Sequence, residues 1–154
     1  MKEKNSDLIR TSAENPDFIW LNKLLDEELA IRDGAAHSFY AQYNTIDRIK
    51  YIILIYEDSK AVGCGAIKNF KPGIMEIKRM FVLPAYRRRG YSNRILDELE
   101  NWTLELSYHK CILETGMKQP EAIALYKKCG YTEIDNYGQY AGIENSICFE
   151  KQLK

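Results

Sequence analysis

The sequence has no C-x-x-C pair. Its four cysteines, Cys64, Cys111, Cys129 and Cys148, lie far apart, and so do its two histidines, His37 and His109. The ligand spacing of a zinc site is missing, so no metal is expected. A disulfide framework is unusual in a chain of 154 residues, which can bury a core without staples. The thiols are therefore expected to be reduced, mostly buried and in a reducing compartment. Net charge is also missing: Lys and Arg total 22, as do Asp and Glu. No overall field draws in nucleic acid or an anionic membrane, and neither is expected as a partner. Long apolar runs are absent. The longest, Ile52 to Tyr56, is far too short to span a bilayer. Lys2, Glu3, Lys4 and Asp7 do not suit a signal peptide. With 45% apolar and 29% charged residues the composition is ordinary. The expectation is a soluble, cytoplasmic protein with one domain over 1–154.

What is present is strong patterning. Apolar residues recur at helical spacing from Asp17 to Ile31, after Asn15-Pro16 as cap and first turn, and Asp33-Gly34 ends that helix. A short aromatic segment, His37 to Asn44, reads as a second helix. Lys50–Glu57, Ala61–Lys68 and Ile74–Leu83 read as three strands joined by tight turns, an antiparallel meander. Gly90 to Leu106 reads as a helix with Ile95, Leu96, Leu99, Trp102 and Leu106 as its apolar stripe, and Asp97, Glu98, Glu100 and Glu105 mostly facing away. A short strand at Cys111–Glu114 follows, then a helix from Gln119 to Cys129 with Pro120 in its first turn and Gly130 after it. Strands at Tyr131–Ile134 and Ser146–Glu150 close the chain, and a further strand near Leu8-Ile9 would open it. The order implies a mixed α/β (α+β) fold with one strand–helix–strand crossover.

The chemistry concentrates in Glu76 to Ser92, EIKRMFVLPAYRRRGYS. A strand ends near Leu83-Pro84, and Gly90 opens a helix. Free N–H groups and the dipole at a helix start favour anions, and glycine lets a phosphate approach the backbone. Arg87, Arg88 and Arg89 add cations there. The same residues also fit a solvated turn, and the segment is neither a Walker loop nor a G-x-G-x-x-G fingerprint.

A second segment tips this balance. R-x-x-G-x-S, carried by Arg87, Gly90 and Ser92, resembles the Q/R-x-x-G-x-G/A motif of the GNAT superfamily of acetyl-CoA-dependent N-acetyltransferases. Gln119, Ala122, Leu125, Tyr126, Lys128, Gly130 and Tyr131 resemble its N-x-x-A-x-x-L-Y-x-K-x-G-F/Y motif. The resemblance covers about Ile46 to Lys151 and is to small bacterial members. Ser92 departs from the usual Gly or Ala, and Gln119 from the usual Asn. The resemblance implies a mixed, mostly antiparallel sheet of about six to seven strands flanked by about four helices.

It also implies roles. Backbone groups of Met80, Phe81 and Val82, in a strand splayed by a bulge, would pair with the pantetheine arm of acetyl-CoA. The pyrophosphate would sit on amides from Arg88 to Ser92, Tyr91 included, with Arg87 and Arg89 beside it. Gln119 and Tyr126 would also touch the cofactor. Tyr126 would be the general acid toward the departing thiolate, and Glu76 the general base, with Glu114 its rival. Glu76 equally fits a structural pair with Lys78 or Arg79, and Tyr126 a core position. Phe39, Tyr40, Tyr43, Tyr137 and Tyr140 are candidates for the acceptor pocket, the core or a dimer contact. The implied activity is direct acetyl transfer to a primary amine of an unidentified small molecule or peptide, by a chain that forms a homodimer in many members. The alternative is a non-catalytic acyl-CoA-binding regulatory module.

Overall fold

The computed structural model describes residues 6–34 and 49–153. The chain begins with β1 (Ser6–Thr11) and α1 (Pro16–Asp33), followed by β2 (Tyr51–Glu57), β3 (Lys60–Lys71) and β4 (Ile74–Val82). Then come α2 (Tyr91–Glu105), β5 (Lys110–Gly116), α3 (Pro120–Lys128), β6 (Thr132–Ile134) and β7 (Ser146–Gln152). The seven strands form one sheet in the order β1-β2-β3-β4-β5-β7-β6. Every neighbouring pair is antiparallel except β4 with β5, which run parallel. A parallel pair needs a crossover, and α2 supplies it.

The opening strand near Leu8-Ile9 is β1, paired along its length with β2. At α1 the Asn15 side chain accepts from the Asp17 N–H at 2.9 Å, the cap expected of that residue, and Pro16 takes the first turn. Three helices stand among the described residues, against about four expected. The segment His37 to Asn44 lies outside them.

α2 covers the sheet face that carries Gly63 and Gly65, and α1 covers the other, where Arg79 of β4 reaches Asn22. The core is the set of β2, β3 and β4 side chains closed between these helices, with Phe18, Leu21, Ile95, Leu96 and Leu99 fully buried. One expectation for α2 is corrected. Glu100 does not face away: it is buried and accepts from Tyr131 Oη and from Lys151 Nζ, each at 2.9 Å. A carboxylate on the covered face is tolerated because both its oxygens have donors. The four cysteines are free thiols; three are buried and Cys129 is half-buried.

Two irregularities open the sheet. In the β3–β4 ladder Cys64 pairs with Phe81 but Ala66 pairs with Lys78, so Arg79 and Met80 together oppose Gly65. This is a β-bulge, and Arg79 takes a left-handed φ of 59° within it. A Cβ on Gly65 would come within 2.6 Å of both Ile95 Cγ2 and Met80 Sδ, so only glycine fits opposite the bulge. The second irregularity is on the other side of β4. Its pairing with β5 lasts only from Ile74↔Lys110 to Glu76↔Ile112. Beyond that point the strands part, while β5 stays paired with β7 along its other edge from Lys110 to Gly116.

Candidate active site

The parting of β4 and β5 opens a cleft of about 670 Å³. Its walls are Glu76 to Val82 of β4, Glu114 to Gly116 of β5, the C-terminal half of α1, α3, and the loop from Tyr86 into α2. Of the residues singled out in the sequence, Glu76, Met80, Phe81, Val82, Arg87, Arg88, Gly90, Tyr91, Ser92, Glu114, Gln119, Tyr126 and Tyr140 line it. Arg89 and Tyr137 do not. Phe39, Tyr40 and Tyr43 lie outside the described residues.

The bulge is held by a buried guanidinium. The Arg79 side chain is 2% exposed. It donates to Asn22 Oδ1 and Asp26 Oδ1, each at 2.5 Å, and to the Asn22 carbonyl at 3.3 Å. The Arg79 carbonyl turns to the Cys64 thiol at 3.3 Å. A left-handed non-glycine residue costs about 1–2 kcal/mol, and these contacts offset it. The β5-facing edge of β4 beyond Glu76 has no ladder partner among the described residues. One carbonyl of this segment, that of Val82, accepts from Arg87 Nε at 2.8 Å.

At one end of the cleft lies the arginine-rich loop. Arg88 is left-handed at φ 65° and Gly90 at φ 81°, so the chain turns twice before α2. Gly90 caps the helix without a side chain, and nothing lies within 4 Å of where its Cβ would be. The helix's bonding begins with Arg94 N–H to the Gly90 carbonyl at 3.1 Å, which leaves the preceding amides outside it. The three arginines divide. Arg87 pairs with Glu28 of α1 at 2.8 Å, and Arg89 pairs with Glu57 at the end of β2, also at 2.8 Å. Arg88 is exposed and makes no ion pair among the described residues.

At the other end Glu76, Lys78, Glu114 and Tyr126 meet. Glu76 is buried, accepts from Tyr137 Oη at 2.6 Å and lies 4.0 Å from Lys78 Nζ. Burial lowers the Lys78 ammonium below its usual range, against the pull of Glu76. Glu114 differs from Glu76. Its Oε2 is shielded from solvent and has no hydrogen-bond partner among the described residues, and burial pushes its pKa up to about 7 although the Ser146 hydroxyl bonds it. Tyr126 packs edge-on to Tyr131, with ring centroids 5.8 Å apart. Burial pushes its hydroxyl above the usual tyrosine range, and nearby Cys129 and Glu114 add to this. No hydrogen bond to that hydroxyl is found among the described residues.

Glu28, Glu57 and the Arg79 anchor were not found from the sequence. Glu28 and Glu57 act through residues remote in the chain, so spacing carries no sign of them. Arg79 does leave a mark: two adjacent charged residues, Lys78-Arg79, break the two-residue alternation of β4 where the bulge occurs.

Comparison with known proteins decides the family. The model of the acetyltransferase (GNAT) family matches residues 13–131. The chain belongs to the GNAT acetyltransferase family. An IAA acetyltransferase of Azospirillum brasilense is 38% identical over 93 residues, 60% of this chain and 61% of that protein, so the match spans less than two thirds of the relative. A Klebsiella pneumoniae structure assigned to the acyl-CoA N-acyltransferases superposes with a TM-score of 0.81 at 27% identity, over 97% of this chain and 98% of that one. A GNAT family acetyltransferase of Elizabethkingia anophelis with acetyl-CoA bound shares the fold, with a TM-score of 0.71 at 17% identity, over 98% and 100% of the two chains.

Proposed function

We propose that this GNAT family member transfers an acetyl group from acetyl-CoA directly to a primary amine of a small molecule or peptide. The observation that carries the reading is the divergence of β4 and β5 after three residue pairs. It leaves an unpaired strand edge between the Gly90 loop and the Glu114–Tyr126 end, which suits an amide-rich arm attached to a diphosphate. The bulge segment Met80 to Val82 would hold the arm, and the amides from Arg88 to Ser92 the diphosphate. When bound, the cosubstrate supplies an activated acetyl group as a thioester.

The chain's own residues supply the proton transfers. An alkyl ammonium has a pKa near 10.4, and an ordinary glutamate, near 4.3, is a poor base for it. Glu114, at about 7, narrows that mismatch by roughly 3–4 kcal/mol. The desolvation that lowers Lys78 also favours the free amine. Glu114 is therefore the base in this reading. Glu76, held by Tyr137 and Lys78, shapes the acceptor end. Tyr126 stays protonated and offers its O–H to the departing sulfur. Full transfer from a tyrosine to a thiolate is uphill by roughly 2 kcal/mol even at model values, so the contribution is a hydrogen bond to developing charge.

The test is calorimetric titration with CoA, then thiol release from acetyl-CoA with a panel of primary amines. Binding and amine-dependent release are expected. Tyr126→Phe should slow turnover by about 10²-fold with CoA affinity within about twofold. The melting temperature should not fall, since the hydroxyl has no hydrogen-bond partner among the described residues to lose. Binding without release for any amine would favour the acyl-CoA-binding module, and absence of binding would overturn the reading.

A further inference from the structure

The sequence places three arginines at the diphosphate, yet Arg89 points away from the cleft. Its Nη1 donates to both oxygens of Glu57, at 2.8 and 3.0 Å, and its Nη2 lies 3.4 Å from the Ala85 carbonyl. Its guanidinium stacks 4.9 Å from the Tyr86 ring centroid. Tyr91, buried on the far side of Gly90, donates its hydroxyl to the same Glu57 carboxylate. One buried carboxylate, 6% exposed at the end of β2, thus grips the residue before Gly90 and the residue after it. Between these two grips the backbone turns left-handed, following an equally left-handed Arg88. A strained, exposed loop keeps such a shape only if its surroundings over-determine it.

We infer that Glu57 is a positioning residue for diphosphate binding: by holding Arg89 and Tyr91 it aims the amides around Gly90 into the cleft. Arg88 is then the cation of the triplet left to meet the phosphates, and Arg89 is an anchor. This rests on the acetyl-CoA reading above. A carboxylate beside an anion site is unfavourable by charge alone, so its presence there needs the compensation that Arg89 and Tyr91 give it.

Two ligands separate positioning from general structure. CoA carries the diphosphate; S-acetylpantetheine keeps the thioester arm and lacks it. Amide NMR titrations give both affinities for wild type, Glu57→Gln and Tyr91→Phe, beside their melting temperatures. The expected result is a loss of CoA affinity of about tenfold for Glu57→Gln, the size of one charge-assisted hydrogen bond, and a smaller loss for Tyr91→Phe. S-acetylpantetheine affinity should stay within about twofold in both. Equal or tighter CoA binding by Glu57→Gln would overturn the inference, because an Arg89 released from Glu57 and serving the phosphates directly would bind them better. Parallel loss of both ligands would also overturn it, as the mark of general damage. If Glu57→Gln fails to fold, Tyr91→Phe decides by the same ratio, since it removes a single hydroxyl and keeps the ring. A wild type that binds no CoA would instead sink the acetyl-CoA reading, and this inference with it.

Discussion

At Glu114 a carboxyl loses the water that keeps an ordinary glutamate near 4.5 and gains one hydroxyl donor in return. Its folded pKa of about 7 lies above the unfolded value, so between roughly pH 4.5 and 7 the folded chain binds more protons than the unfolded one. Stability therefore falls as pH rises through that window and stays lower above it. Glu114→Gln should abolish this fall. By urea denaturation the variant should gain up to about 3 kcal/mol over wild type at pH 8, and almost nothing near pH 4. The same variant should lose the rising limb of the pH–rate profile near 7. Equal pH dependence in the two proteins would remove Glu114 as the base. Both candidate carboxylates were legible in the sequence, but their ranking was not. Glu76 and Glu114 each sit in an apolar strand, and only the fold shows that Tyr137 bonds one while Oε2 of the other has no hydrogen-bond partner among the described residues.

Elements were more legible than contacts. Alternating runs and turn residues placed β2, β3 and β4 within a few residues of where they stand, and Asn15-Pro16 and Gly90 marked helix starts that the structure keeps. Local pattern could not show that β7 enters between β5 and β6, because pairing order is decided by long-range burial. The two glycines of β3, Gly63 and Gly65, stand at alternate positions, and local sequence offers no explanation for them. Gly65 has one now, since it lets Ile95 of α2 and Met80 of the bulge approach the same point. Gly65→Ala should cost about 1–3 kcal/mol by chemical denaturation, the usual range for overpacking a filled core. It should also weaken CoA binding, because the Met80 side chain must move and the bulged edge moves with it. A variant with wild-type stability and affinity would mean that the bulge tolerates a methyl group there and is not set by Gly65.

Across the whole molecule the cleft belongs to no single segment. Glu28 of α1 reaches Arg87 beside α2, and Arg32 pairs with Glu121 of α3, so α1 ties the two sides of the opened sheet. Such ties join residues 59 and 89 positions apart in the chain, and no spacing rule reports them. The two GNAT-like motifs were legible because each is local. The walls they need were not, because those come from α1 and β5. A site assembled from so many elements exists only in the folded state, and that makes its ligand a stabiliser of the whole chain. Binding to the native form alone adds RT ln(1 + [L]/Kd), about 2.7 kcal/mol at a hundredfold excess of CoA over its Kd. For a domain of this length that shifts the melting temperature by roughly 5–10 °C. Thermal unfolding by circular dichroism with increasing CoA should show the rise growing with the logarithm of concentration. S-acetylpantetheine, with only the β4 edge to hold it, should need far higher concentrations for the same shift. Equal shifts for the two at equal concentrations would mean that the Gly90 loop contributes nothing to binding, and the placement of the diphosphate there would fail.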